Sequence, residues 1–252
     1  MSLVEIKTDG PVRTVTLNRP EKRNAINPDM MGQLLAAFET TPPDSERVTV
    51  LRANGSVFSA GLQLSTAGVD PGEAARIEAM FNAVQHYPLP VIAAVQGAAI
   101  AGGCELALHC DFIVAKDSAP IQMPLAQIGV TTTWFLTKKL MEFAGPTTTR
   151  ELLLLGEPLT GARLHELGIV TRSCAADEID ATVTRLATRL SANAPLAMRM
   201  MKKLIIRQMS FLLDAVPHED LDQEVAAVYA SVDAVEGVAA KVERREPNFK
   251  GQ

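Results

Sequence analysis

The chain has 252 residues, with 24 Lys and Arg against 29 Asp and Glu and a formal charge of −5. A hydrophobic fraction of 47% with 21% charged residues excludes a disordered chain, and the length carries one large domain or a domain with a tail. The acidic balance supplies no general attraction to nucleic acid or an anionic membrane, so an anionic ligand must be held by local charge.

Residues 12–17 (Val-Arg-Thr-Val-Thr-Leu) alternate apolar and polar and end at Asn18-Arg19-Pro20, which predicts a strand and a turn. Asn27-Pro28-Asp29 then opens a run with Met31, Leu34, Leu35 and Phe38 at helical spacing, Asn27 as cap and Pro28 at the first helical position. A second strand is expected over 47–52, closed by Asn54-Gly55, and a helix over 71–86. Residues 91–95 and 112–115 are short continuous apolar runs of the buried-strand kind. Helical patterns dominate thereafter, over 150–155, 160–167, 177–191, 196–213 and 218–232. Neither a linker nor a repeat divides the chain. The expected organisation is an α/β core over residues 1–190 followed by a helical assembly region over 191–252.

Three cysteines, Cys104, Cys110 and Cys174, are too few and too unevenly spaced for a disulfide framework or a zinc site. The opening MSLVEIKTDG lacks a basic segment followed by an apolar one. The longest apolar stretch, 91–108, is interrupted by Gln96, Gly97, Gly102, Gly103 and Glu105, whereas a spanning helix needs about 20 mostly apolar residues. A cytoplasmic protein without membrane or nucleic-acid partners is expected.

The chemistry concentrates in two small-residue turns. The first is Phe58-Ser59-Ala60-Gly61-Leu62-Gln63-Leu64, and the second runs from Gln96-Gly97 through Gly102-Gly103-Cys104-Glu105 into a helix. At a helix start the first amides have no intrahelical partner, and glycine lets a ligand approach them closely. Such amides hold a phosphate or a developing oxyanion. Neither Gly-Lys-Ser/Thr nor the dinucleotide spacing follows these glycines, and Glu105 would repel phosphate yet serve as acid or base beside an oxyanion. The competing reading is that both glycines allow close helix–strand packing while Glu105 only neutralises the helix dipole.

The segment from Leu89-Pro90-Val91 through Gly102-Gly103-Cys104-Glu105 to His109-Cys110-Asp111 resembles the central motif of the enoyl-CoA hydratase/isomerase (crotonase) superfamily. The resemblance covers nearly the whole chain. It includes Leu17-Asn18-Arg19-Pro20 with Arg23-Asn24-Ala25, Phe58-Ser59-Ala60-Gly61, residues 164–170 and Pro247-Asn248-Phe249-Lys250. It implies an α/β crotonase-like fold of repeated β-β-α units with a helical C-terminal region, assembled as a homotrimer or dimer of trimers. It also implies an acyl-CoA substrate, with coenzyme A as part of that substrate and no separate cofactor or metal.

By the same resemblance the amides of Leu62 and Gly102 would receive the thioester oxygen, and Ala60, Gln63 and Leu64 would line the CoA arm. Lys22, Arg23 and Lys250 are candidates for the nucleotide phosphates or simply solvated surface cations. Glu105 matches the first of two glutamates used by hydratases of this family. The second is missing: Met123-Pro124-Leu125-Ala126 places Leu125 where that carboxylate belongs. Leucine neither moves a proton nor orients water. Two functions follow, an enoyl-CoA hydratase or isomerase, or an acyl-CoA-binding protein with little turnover.

Other groups carry plainer expectations. Glu105 and His109 stand four apart on one helix without a third metal ligand, so His109 reads as a surface or core histidine. Ser59 lies outside a nucleophile elbow. Cys104 reads as a buried small residue, Trp134 and Phe135 as pocket or core, and Met198, Met200, Met201 and Met209 as a packed or acyl-facing surface.

Overall fold

Strands buried on both faces form the centre of the fold. In the computed structural model of the chain, residues 2–64, 71–213 and 217–251 are described. Six strands form one sheet, in the order β1 (Val4–Asp9), β2 (Val12–Leu17), β3 (Val48–Ala53), β4 (Val91–Val95), β6 (Phe112–Lys116) and β9 (Arg172–Cys174). β1 runs antiparallel to β2, and every other pairing in this sheet is parallel. A smaller sheet joins β5 (Ala99–Ile100), β7 (Pro120–Gln122) and β8 (Leu159–Thr160).

The period of two sorts the central strands between two cores. Leu51, Ala93, Val95 and Ile113 face the larger core, shared with α1 (Pro28–Glu39), α2 (Pro71–His86) and α3 (Gly102–Leu108). Val48, Val50, Ile92 and Val114 face the other way, onto Ile179, Val183, Ala187 and Leu190 of α6 (Ile179–Ser191). Those four are one stripe of that helix. In β2 the inward set is Arg13, Val15 and Leu17. Arg13 is accommodated because Nη2 donates to the Ala37 carbonyl at 2.6 Å and the guanidinium lies over the rings of Phe38 and Tyr87.

Asn27 caps α1 as its side chain accepts from Met30 N at 2.9 Å. Two helical expectations are corrected. The pattern over 150–155 belongs to the end of α4 (Trp134–Arg150) and a π turn over Glu151–Leu155, stopped by Gly156 at φ 64°. The pattern over 218–232 is broken, because α8 (Glu219–Tyr229) ends and Ser231 caps α9 (Val232–Glu243), accepting from Ala234 N at 3.0 Å. A serine that bonds its own backbone starts a new helix there. Between these lie α5 (Gly161–Glu166) and α7 (Pro195–Leu213), the latter tied to the core by Lys202 Nζ, 2.6 Å from Asp111 Oδ2. Among the described residues no helix is long and apolar enough to cross a membrane.

The smaller sheet continues sideways through two parallel bridges, Ser59 with Ala99 and Ile26 with Leu62. Asn24 fastens this edge. Fully buried at φ 50°, it accepts from Arg19 N and donates to the carbonyls of Asn54 and Val57, each at 2.9 Å, while its own carbonyl accepts from Ser59 Oγ. Losing three buried side-chain bonds costs about 2–4 kcal/mol. Urea denaturation of Asn24→Ala should show that loss; a change below about 1 kcal/mol would refute this role for the asparagine.

Candidate active site

The Ile26–Leu62 bridge decides where one amide points. Ile26 N donates to Gly61 O and Gln63 N to Ile26 O, both at 2.8 Å, so the intervening Leu62 N–H is turned away from that strand. It faces α3. A Cβ built on Gly102 would lie 3.2 Å from the Leu62 nitrogen, and one on Gly61 would lie 3.1 Å from the Gly102 nitrogen. Among the described residues neither N–H has a backbone acceptor. Ala101 sets the second amide: its N–H is anchored on Gln122 O at 2.8 Å, and it sits at φ 48°, ψ −117°. A side chain seldom tolerates that conformation, which costs about 1–3 kcal/mol.

The two glycines that open α3 meet different neighbours. A Cβ on Gly103 would sit 2.5 Å from Ser59 O, so Gly103 serves close packing. Gly102 is closely packed as well, on the first turn: a Cβ there would lie 3.1 Å from Leu62 Cγ and 3.2 Å from its nitrogen.

Glu105 lies in the first turn of α3, 1% exposed, and neither carboxylate oxygen has a hydrogen-bond partner. Burial pushes its pKa up to about 8 against a smaller downward pull from the Lys139 charge, so the carboxyl is mostly protonated at neutral pH. One turn on, His109 Nδ1 stands 2.7 Å from Glu105 O, and the ring lies between Phe81 and Phe135 with centroids 4.9 and 5.3 Å away. Burial drives its pKa down to about 3, which keeps the imidazole neutral with its proton on Nδ1. His109 is therefore a core histidine. Lys139 of α4 is also buried and pairs with Glu142 Oε2 at 2.9 Å. Desolvation lowers its pKa, and the Glu142 carboxylate opposes that shift.

Leu125 follows β7 and heads the short 3-10 turn Ala126–Ile128, half-buried against the larger core. Because β7 runs parallel to β5, Leu125 and α3 leave the same end of paired strands. Ala60 N donates to Arg23 O at 2.9 Å, which seats the first turn beside the Pro20–Lys22 3-10 turn. Gln63 is held by Arg19 Nη1 at 2.8 Å, and Leu64 is exposed. Lys22 and Lys250 are both exposed, on separate elements; Lys250 N donates to Asp233 of α9 at 2.6 Å.

Sequence reading missed Glu78 and Lys139. Glu78 of α2 is half-buried, its pKa raised chiefly by desolvation while the Thr133 hydroxyl opposes that. Nearby, Trp134 stacks on His218 at 4.9 Å and Tyr229 donates to Thr131 O at 2.6 Å, so α8 closes over residues 131–134. These contacts join distant segments, and no local motif announces them. The Cys104 thiol is pushed up by burial and by Glu105, contrary to what a nucleophile needs. Among the described residues no group of His, Cys, Asp or Glu is set to hold a metal ion.

The profile of the family described as Enoyl-CoA hydratase/isomerase matches residues 7–252. The chain belongs to the enoyl-CoA hydratase/isomerase family. It is 29% identical to the 2,3-dehydroadipyl-CoA hydratase of Escherichia coli (strain K12) over the full length of both chains. It is 31% identical to the probable enoyl-CoA hydratase echA6 of Mycobacterium leprae, covering 95% of this chain and 96% of the other. Among solved structures, a methylmalonyl-CoA decarboxylase superposes with a TM-score of 0.91 at 26% identity, over 100% of this chain and 99% of that one. An enoyl-CoA hydratase from Mycobacterium avium subsp. paratuberculosis K-10 gives 0.87 at 26% identity, over 99% of each. The α/β crotonase-like fold and acyl-CoA processing of the hydratase/isomerase type are those of an enzyme of this family.

Glu105 holds its proton to about pH 8 in the folded family member, whereas an unperturbed glutamate releases it near 4.5. The raised folded-state pKa favours the native state at low pH, and that contribution is lost as pH climbs through this window. The melting temperature of Glu105→Gln minus that of the wild type should therefore grow from about pH 5 to about pH 8 and level off beyond it. A difference that stays flat with pH would contradict the buried, protonated carboxyl.

Proposed function

We propose that the protein acts on an acyl-CoA thioester through an enolate, the Leu62 and Gly102 amides receiving the thioester oxygen and Glu105 carrying the proton. The observation that carries this reading is that two backbone donors without acceptors meet at α3, whose first turn also bears a buried carboxyl without partners. In the isomerisation of a 3-enoyl thioester, ionised Glu105 takes a proton from C2, and the electron pair moves onto the carbonyl oxygen. The same carboxyl then returns that proton to C4, the double bond shifts to C2–C3 and the C=O re-forms. Preorganised donors lower the barrier to such an oxyanion by about 3–4 kcal/mol each.

The names of the relatives support the same intermediate. Hydration of a 2-enoyl thioester and decarboxylation of a malonyl thioester both pass negative charge to the thioester oxygen. Ala60, Gln63 and Leu64 line the CoA arm, and Lys22 with Lys250 meets the phosphates. Leu125 supports a second reading, an acyl-CoA-binding protein with little hydratase turnover, since hydration by paired carboxylates lacks its second member.

The region 191–252 serves assembly into a homotrimer or dimer of trimers. Leu196, Met200 and Leu204 repeat every four residues along α7, beside Met201 and Ile205, and Leu196 and Ile205 are 77% and 63% exposed. An apolar stripe of that kind marks an interface.

Purified protein incubated with 3-enoyl-CoA should form conjugated thioester, and Glu105→Gln should slow it by about 10²–10⁴-fold. Tight binding without conversion, unchanged in that variant, would leave only the binding reading. Leu125→Glu should raise hydration of 2-enoyl-CoA; an unchanged rate would discredit the place given to Leu125. Light scattering should return three or six times the 27.0 kDa of one chain, and a monomer would overturn the assembly role of α7.

A further inference from the structure

Adding water to a 2-enoyl thioester takes a base for the water and an acid for C2. Glu105, mostly protonated at neutral pH, suits the acid. Leu125 leaves the base unassigned, and a carboxylate from a different helix stands beside the segment that follows Leu125. Glu78 of α2 is half-buried, with the Thr133 hydroxyl next to its carboxylate. The Thr133 oxygen accepts from Leu136 N at 3.3 Å, which leaves its hydrogen for that carboxylate or for a water between them. A hydroxyl donor there favours the ionised form, the form a base needs.

Two sets of contacts bring this pair to the start of α3. Along the strands, Ala101 N is bonded to Gln122 O at 2.8 Å, and Leu125 O, just beyond, accepts from Val130 N at 3.1 Å. Thr133 follows within a few residues. Across the helices, Phe81 of α2, His109 of α3 and Phe135 of α4 stack in one layer. On one side of that layer Gln85 and Glu142 line a cavity with His109, so α2 and α4 run the same way past the end of α3. Within one turn on the other side stand Glu78, Glu105 and Thr133. From outside, α8 covers this place: His218 stacks on Trp134 and reaches Asp222 Oδ2 at 3.0 Å, and Tyr229 is bonded to Thr131 O.

We infer that Glu78, with Thr133, holds the water that adds to C3 of a 2-enoyl thioester and takes its proton. The inference rests on the acyl-CoA reading given above and leaves isomerisation to Glu105 alone. The water oxygen bonds to C3 as its proton passes to the Glu78 carboxylate. The C2–C3 π pair moves toward the thioester oxygen, held by the Leu62 and Gly102 amides. Glu105 then gives its proton to C2, the C=O re-forms and a 3-hydroxyacyl thioester results. Exchange with solvent removes the proton from Glu78 and restores the one on Glu105.

Chromatography with mass detection gives both rates, hydration from hex-2-enoyl-CoA gaining water and isomerisation from loss of hex-3-enoyl-CoA. Wild type should catalyse both. Glu78→Gln should lower kcat of hydration about 100-fold more than kcat of isomerisation, with KM for hex-2-enoyl-CoA within about two-fold. Glu78→Asp keeps a carboxylate and should separate the two rates by only about ten-fold, a test that stands if the glutamine variant misfolds. Wild type without hydration, or two rates that fall together in the variants, overturns the role of Glu78 and leaves the acyl-CoA reading standing. If neither thioester binds, that reading fails and the inference falls with it.

Discussion

The proposed function depends on one constraint: the main-chain N–H groups of Leu62 and Gly102 have no backbone acceptor among the described residues, and their turns pack against each other. An unpaired amide inside a protein costs about 1–3 kcal/mol, so folding does not leave a facing pair without structure that enforces it. That structure is visible. The Ile26–Leu62 bridge turns one amide inward, and Ala101, held on Gln122 in a conformation few side chains accept, turns the other. Gly61, at φ 88°, is required because any Cβ there would sit 2.6 Å from Ile100 O. Behind them Asn24 and Ser59 lock the edge segment to the sheet.

The same helix that supplies the Gly102 amide also supplies the carboxyl, and its burial sets the chemistry. A carboxylate with no partner is expensive in a low-dielectric interior, so Glu105 keeps its proton until about pH 8. That is the range in which one group both gives and takes a proton near neutrality. In the proposed reading Leu125 stands in place of a second carboxylate, which leaves the proton work to Glu105 alone. Moving a proton between two carbons needs only one such group. Placing a water is harder for one carboxyl.

Much of the frame was legible in the sequence. β2, β3, β4, β6 and α1 stand where alternation, buried runs and the Asn27 cap put them, because each is long enough for its period to register. β5, β7 and β8 were not, since two or three residues carry no period. α4 was hidden by its threonines and by Gly145-Pro146, where the helix bends at φ 63°. Arg13 broke the pattern of β2 because two aromatic rings and a carbonyl from elsewhere receive it. At the site, Glu105, Leu62 and Gly102 could be named from the family motif, while the spacing alone did not separate Gly102 from Gly103. Only the structure shows which segment each one meets, Ser59 for Gly103 and Leu62 for Gly102. The burial of Lys139 and Glu78 arises from contacts between separate segments of the chain, beyond the reach of local spacing.

The central claim is geometric and is met most directly by a crystal structure with a saturated acyl-CoA bound. The account requires the thioester oxygen within about 3 Å of both the Leu62 and the Gly102 nitrogen, with the Glu105 carboxyl against C2. A thioester oxygen bonded elsewhere, with either amide left unengaged, would contradict it.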